Sequence, residues 1–318
     1  MSRFLSAADF VAANGTNAPA WTESESLEYT RWLARSHYEN FSVVSWLLPR
    51  HLHQDFFNVY SFCRWADDLG DEMGDPVRSL ELLNWWQREL DAVYAGHARH
   101  PVYVALRRTI EKHDIPEQPF ADLIRAFVQD QTVTRYATYD DLLGYCRYSA
   151  NPVGRLVLHL CGYTDEERRR LSDATCTALQ LANFWQDVRR DWEIGRVYIP
   201  ADRMTSSGYS VDRLEQDLKS GVATAGFRAL MRELVDDTGS LFVKGLPLPG
   251  MVDRRLAVDL ELFSGGGMAI LEMIRRQEYD TICKRPRLGK LRRLTLLASV
   301  VARQLLVRSG SGGKARHV

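Results

Sequence analysis

Apolar residues recur at three- and four-residue intervals along most of this 318-residue chain, and the alternation of a half-buried strand is nearly absent. Only Arg196-Val-Tyr-Ile-Pro200 reads as extended. The pattern predicts an all-α, single domain. Pro49, Pro101, Pro116 and Pro119 punctuate the helices, and Asp75-Pro76 opens one carrying Leu80, Leu83, Trp86, Leu90 and Val93. Asn151-Pro152 interrupts the apolar run from Asp140 to Cys161. Thr164 and Asp165 cap a helix beginning at Glu166. A long helix over Ser172–Trp192 ends at Gly195, with Pro200 shortly after. Residues 1–20 read as a flexible N-terminal arm, 21–305 as the folded domain and 306–318 as a basic, disordered tail.

Within the helical run lies Tyr60-Ser-Phe-Cys-Arg-Trp-Ala-Asp-Asp-Leu-Gly-Asp-Glu72. Helical spacing puts Tyr60, Arg64, Asp67, Asp68 and Asp71 on one stripe. Asp67 with Asp71, and Asp68 with Glu72, are like-charge pairs one turn apart, each costing roughly 0.2–0.5 kcal/mol. Gly70 adds roughly 0.5–1 kcal/mol relative to Ala. Such repulsion calls for a partner, and a hard divalent cation with oxygen ligands supplies one. Spacing alone leaves open which of these carboxylates face the metal, and Arg64 offsets only part of their repulsion.

A second helix repeats the theme. Gln180, Asn183, Asp187 and Asp191 fall at i, i+3, i+7 and i+11, again one face. Carboxylates one turn apart, preceded by amides, are hard oxygen ligands suited to Mg²⁺, which completes its shell with water and phosphate. Two such helices suit the ionisation of a diphosphate. One D-x-x-x-D alone is usually a solvated face; two, on otherwise apolar helices, are not. A di-iron site wants Glu-x-x-His pairs, which are absent.

The formal net charge is zero, so no bulk field favours nucleic acid. The five cysteines form no C-x-x-C and read as buried thiols in a reducing compartment. No secretory h-region and no run long enough to span a bilayer is present, so a cytoplasmic location is expected. The segment from Lys284 is basic and reads as a helix with a solvated basic face, with a membrane-surface role as the alternative. Gly265-Gly-Gly267 lies in a helical context and gives no support for a nucleotide site. The histidines form no carboxylate-backed ligand pair, and Arg189 and Arg190 flank the acidic stripe without joining it.

With Tyr60-x-x-x-Arg64-x-x-Asp67-x-x-x-Asp71, Gln180-x-x-Asn183-x-x-x-Asp187-x-x-x-Asp191 and Gly195-Arg196-Val-Tyr198-Ile-Pro200, the chain resembles the squalene/phytoene synthase family of head-to-head prenyl synthases. The resemblance is strong from about Ser36 to Pro200 and weaker to Arg287. It implies an isoprenoid synthase fold, a helical bundle around a central cavity, with prenyl diphosphate substrates. It assigns Asp67, Asp71, Asn183, Asp187 and Asp191 to Mg²⁺, and Phe41, Tyr60, Arg64, Gln180, Arg196 and Tyr198 to substrate. Tyr145, Ala150 and Gly154 would line the middle of the cavity, with Tyr145 in a catalytic role.

Three departures carry information. His37-Tyr-Glu-Asn-Phe41 stands where the family often has serines, Gln186 where it often has Arg, and Ala150-Asn-Pro-Val-Gly154 where it often has Ala-Gly-Thr-Val-Gly. These resemble the branch that forms hydroxysqualene: presqualene diphosphate ionises, the cation rearranges and water captures it. Tyr38, Glu39, Tyr145 and Asn151 are candidates to position that water. The resemblance implies Mg²⁺ without NADPH, and admits peripheral contact with the inner membrane face through the basic C-terminal region and contact with other squalene-pathway enzymes. Sibling reactions giving presqualene diphosphate, squalene or phytoene are the alternative within enzymes. A non-enzymatic assembly protein on the same fold would have lost metal carboxylates that are intact here.

Overall fold

The computed structural model describes residues 4–17, 19–36 and 49–289, with Thr295 and Val300 beyond them. Its contacts resolve into two compact units, Met1–Thr134 with Gly144–Arg169, and Arg135–Leu143 with Arg170–Val318. The regular elements of the described residues are helices, and their one extended pairing is an isolated parallel bridge between Arg135 and Val197, beginning in a loop and ending where the sequence reads as extended.

In the first unit, α1 (Ala7–Asn14), α2 (Glu23–Ser36), α3 (His53–Asp71), α4 (Pro76–Tyr94), α5 (Pro101–His113) and α6 (Gln118–Asp130) follow in order. Their starts are written locally. Asp75 accepts from the Val77 N–H ahead of Pro76, and His100 Nδ1 accepts from the Val102 N–H ahead of Pro101. α7 (Tyr139–Ser149) and α8 (Asn151–Leu160) break at Ala150, as Asn151-Pro152 requires. The core is aromatic: Phe62, Trp65, Trp86, Tyr103 and Phe120 are fully buried.

The expectation of a flexible arm over residues 1–20 fails at α1. Ser6 caps that helix through the Asp9 N–H, and Phe10 packs edge-on against Trp65 and His100 at 5.3 and 5.0 Å. The Tyr29 hydroxyl donates to the Leu5 carbonyl. An Ala- and Asn-rich segment is held because three apolar side chains, Ala7, Phe10 and Val11, find the core.

α3 is buttressed on its N-terminal half by polar groups. Asn58 donates to the Ala105 carbonyl and the Thr109 hydroxyl, both at 3.0 Å. Asp55 takes Lys112 Nζ at 2.6 Å and His113 Nε2 at 3.0 Å. Burial pushes the Asp55 carboxyl up, but the Lys112 and His113 contacts outweigh it and hold it below the usual range. His113 is thus carboxylate-backed, in a structural tie between α3 and α5.

The second unit holds α9 (Glu166–Glu193, its first turn in the first unit), α10 (Ala201–Ser206), α11 (Val211–Ser220), α12 (Ala225–Gly245) and α13 (Arg254–Arg276). The capped start at Glu166 and the expected Ser172–Trp192 helix are one element, closed by Gly195 at φ +79°. Glycines let these helices approach closely. A Cβ at Gly245 would sit 2.1 Å from Thr175 Oγ1, and one at Gly267 would sit 2.3 Å from Phe242 and 2.9 Å from Leu179. Within the triple-glycine segment it is Gly267 that serves packing, since a Cβ at Gly266 would meet open space.

Two readings of the C-terminal region change. Cys283 is exposed, against the expectation of buried thiols. The start of the basic segment is not a helix: residues 284–289 run as non-helical backbone, with Lys284 and Arg287 exposed but Pro286 buried.

Candidate active site on two acidic helices

On α3 the arginine of the acidic stripe is occupied by its own helix. Arg64 meets Asp67 at 3.2 Å and Glu72 at 2.7 Å, and pairs closely with Asp68. Asp68 is buried, and burial pushes its carboxyl up to about 7 against the opposing charge of Arg64. Burial also raises Asp67, with Arg64 opposing and Asp71 and Glu72 adding to the rise. Asp68 is therefore the anchor of Arg64, leaving Asp67 half-exposed and Asp71 exposed at the helix end. The assignment of Arg64 to substrate meets a guanidinium already engaged by three carboxylates, although its buried Nε has no partner.

On α9 the compensating cation comes from far along the chain. Arg285 grips both oxygens of Asp187, with Nη2 to Oδ2 at 2.8 Å and Nε to Oδ1, while Arg190 Nε stands 3.9 Å from Oδ1. Asp191 is pushed up to about 7, by burial first and by Asp187 second, against Arg196, Arg285 and Arg190. Arg190 thus touches the stripe it was expected only to flank. Arg189 does flank it, donating to the Ile282 and Leu218 carbonyls. Asn183 is exposed and Gln180 half-buried.

Taken separately, the donors of each helix fit a divalent cation chemically. Each helix offers a pair of carboxylates one turn apart, with Asp67 and Asp191 raised by burial first and by the neighbouring carboxylate after it, and α9 adds an exposed amide. Among the described residues no three His, Cys, Asp or Glu side chains converge to hold a metal unaided. A cation on either helix needs further oxygen ligands, as Mg²⁺ ordinarily takes from water and phosphate.

Beside α9, within the second unit, lies an open pocket of roughly 580 Å³. Leu179, Leu262, Phe263 and Ile270 give it apolar walls, and Asn183, Arg190, Arg285 and Arg287 give it polar ones. An apolar cavity with a few converging cations suits an amphiphilic anion.

The remaining expected residues fall in two places. In the first unit, Tyr60 is half-buried, and burial raises its hydroxyl above the usual range. Tyr145 is buried and donates to Asp130 Oδ2 at 2.9 Å, while Asn151 and Ala150 are buried at the α7–α8 break and Gly154 is half-buried one turn on. In the second unit, the Arg196 N–H donates to the Asp191 carbonyl at 2.7 Å, and Tyr198 stacks on Phe184 at 3.8 Å and on Tyr136 at 5.9 Å. Tyr38, Glu39 and Phe41 lie outside the described residues, as do Lys290, Arg292 and Arg293 of the basic segment. Two groups escaped the sequence reading. Arg285 was one cation among many in a basic run, and Asp130 has no local signal linking it to Tyr145.

The model of the squalene/phytoene synthase family matches residues 34–296. The chain belongs to that family. Its members are prenyl diphosphate-utilising synthases, generally dependent on a divalent metal. A hydroxysqualene synthase of Rhodopseudomonas palustris is 32% identical over 88% of this chain and 93% of its own length. A phytoene synthase of Thermus thermophilus is 31% identical over 83% and 88%. The crystal structure of the squalene synthase HpnC from Alicyclobacillus acidocaldarius superposes with a TM-score of 0.76 at 47% identity, covering 81% of this chain and 96% of that one. The fold is the all-α isoprenoid synthase fold. Among the described residues no helix is long and apolar enough to cross a membrane.

Proposed function

We propose that this family member converts presqualene diphosphate into hydroxysqualene and diphosphate in a Mg²⁺-dependent reaction serving squalene and hopanoid synthesis. The observation that carries the reading is the arrangement along α9, where Asn183 and three arginines share a pocket with apolar walls. A diphosphate with a long hydrocarbon chain has that polarity. The choice of product rests on the likeness to hydroxysqualene synthases and on the buried Asn151 at the α7–α8 break.

Mg²⁺ would be held by Asp67 and Asp71 on α3 and by Asn183, Asp187 and Asp191 on α9, and would neutralise charge on the departing diphosphate. The C–O bond to diphosphate breaks and the electron pair leaves with the anion. The cyclopropylcarbinyl cation rearranges, and a water oxygen bonds to carbon and releases one proton. Nothing is oxidised or reduced overall, so NADPH has no part. Asn151 can orient the water by its amide, and Tyr145 can pass a proton towards Asp130. Tyr38 and Glu39 stay as further candidates. The insoluble C30 substrate and product favour loading at the inner membrane face, with the basic residues after Arg287 as the contact.

The test is incubation with presqualene diphosphate and Mg²⁺, with and without NADPH, followed by mass spectrometry. Hydroxysqualene formed without NADPH is the expected result; squalene formed only with NADPH would overturn it. The second reading, supported by the Thermus relative, is a sibling synthase joining two prenyl diphosphates. Phytoene or presqualene diphosphate accumulating from its own precursor would establish that one. Loss of liposome binding on truncation after Arg287 checks the membrane contact.

A further inference from the structure

Three positions of α9 within one turn, Gln186, Asp187 and Arg189, hold one stretch of the chain's C-terminal region, and Arg190 just beyond them adds to the grip. Gln186 Nε2 donates to the Pro286 carbonyl at 2.6 Å, Asp187 takes the Arg285 guanidinium on both oxygens, and Arg189 Nε donates to the Ile282 carbonyl at 2.8 Å. Arg190 approaches Asp187 from the side at 3.9 Å. Ile282 and Pro286 are buried under these contacts, and Cys283 Sγ ties the same stretch to the Gly221 carbonyl. The segment 282–286 is thus a strap laid along the acidic helix.

The strap places a cation on one of the carboxylates proposed to hold metal. A guanidinium fork on both oxygens of Asp187 and a divalent cation on the same carboxylate oppose each other by charge and by occupancy of the lone pairs. An anion that takes the fork would relieve the conflict, since guanidinium pairs with phosphate oxygens in the same bidentate way. Gln186 matters because it fixes the backbone carbonyl of the residue after Arg285. Its amide sits at the position where the family resemblance leads one to expect an arginine.

We propose that the 282–286 strap is a built-in gate on Asp187. Arg285 occupies the carboxylate until an anion draws it off, and Gln186 and Arg189 are positioning residues that hold the strap in its occupying place. Divalent metal then binds weakly to the empty protein and more tightly when a diphosphate is present, so the two ligands assist each other. The inference rests on the proposed metal role of Asp187 and Asp191.

The test uses Mn²⁺ as probe, read by electron paramagnetic resonance on the full-length protein, with inorganic pyrophosphate added in a second series and its own Mn²⁺ binding subtracted. Circular dichroism checks that each variant is folded. Arg285→Gln should bind Mn²⁺ about tenfold more tightly than wild type without pyrophosphate, and should lose most of the pyrophosphate enhancement. Gln186→Leu should move the same way by about threefold, since it frees the strap but keeps the cation. Arg285→Lys, which keeps the charge and loses the fork, should fall between wild type and Arg285→Gln. Unchanged Mn²⁺ affinity in Arg285→Gln, with Asp187→Asn and Asp191→Asn abolishing binding, overturns the gate and leaves the metal site standing. Mn²⁺ binding that ignores Asp187→Asn and Asp191→Asn overturns both.

Discussion

The two acidic helices solve the same electrostatic problem with different parts of the chain. α3 neutralises its carboxylates from within: Arg64 reaches Asp67, Asp68 and Glu72 on its own helix, and the buried Asp68 is the anchor. α9 borrows its cation from Arg285, 98 residues further on, and places it on a carboxylate that is partly exposed. An intrahelical pair forms with the helix and stays with it. A borrowed pair depends on where the strap lies and can be given up without unravelling a turn. By this contrast α3 is the fixed half of the acidic pair and α9 the adjustable half.

The largest effect should come from removing either half of the proposed metal set. Asp67→Asn and Asp187→Asn should each lower product formation from presqualene diphosphate by on the order of 10²–10³-fold, the scale of losing one electrostatic contact to a developing charge. Neither should lower the thermal midpoint much, because both carboxylates are partly exposed and each removal relieves repulsion. Mass spectrometry of products beside a melting curve checks both. Equal activity in one of the two would show that only one helix carries metal chemistry.

The next contrast is in stability. Arg64→Leu strands Asp68, which has 3% exposure, and should cost about 3 kcal/mol. Arg285→Leu strands only Asp187, which has 21% exposure, and should cost about 1 kcal/mol or less. Urea denaturation at neutral pH separates the two. The Arg64→Leu deficit should grow as pH rises above about 7, because burial already favours the protonated Asp68 in the folded state.

This asymmetry also explains what could be read without coordinates. Features whose cause lies within a few residues were legible: the Asp75-Pro76 helix start, the break at Asn151-Pro152, Gly195 closing α9, and both acidic stripes. Features joined by the tertiary fold were not. Arg285 sits in a run of basic residues that looks solvated, and nothing near it indicates Asp187. The glutamine at 186 reads from the sequence only as standing where the family often has arginine, whereas in the fold it holds the Pro286 carbonyl. α1 escaped because weak helix signals in an Ala- and Asn-rich segment are overridden by three buried side chains.

A carboxylate with no cation against it among the described residues gives a third point on the scale. Asp259 on α13 is 2% exposed, neither oxygen has a hydrogen-bond partner among the described residues, and burial pushes its carboxyl up to about 8, with Asp253 adding. The unfolded chain releases that proton near the usual value of about 4, whereas the folded chain keeps it to about 8. Between those values the folded state binds more protons, so stability falls as pH rises through the window. Asp259→Asn should flatten that slope and at pH 8 leave the protein on the order of 2 kcal/mol more stable than wild type, measured by urea denaturation from pH 5 to 8.

The smallest test compares two glutamines that pin backbone carbonyls at the acidic helices. Gln131 Nε2 donates to the Gly70 carbonyl of α3 at 3.2 Å and to the Phe127 carbonyl at 3.1 Å. The Gly70 carbonyl also accepts from the Ser79 hydroxyl at 3.2 Å, so Gln131→Leu leaves it satisfied. Gln186 holds the buried Pro286 carbonyl through a single shorter bond. Gln186→Leu should therefore cost about 1 kcal/mol and Gln131→Leu less than about 0.5 kcal/mol. Thermal midpoints of the two variants, measured side by side, read the difference. A larger loss in Gln131→Leu would mean that α3 leans on its neighbours as much as α9 leans on the strap, and the division into a fixed and an adjustable half would fail.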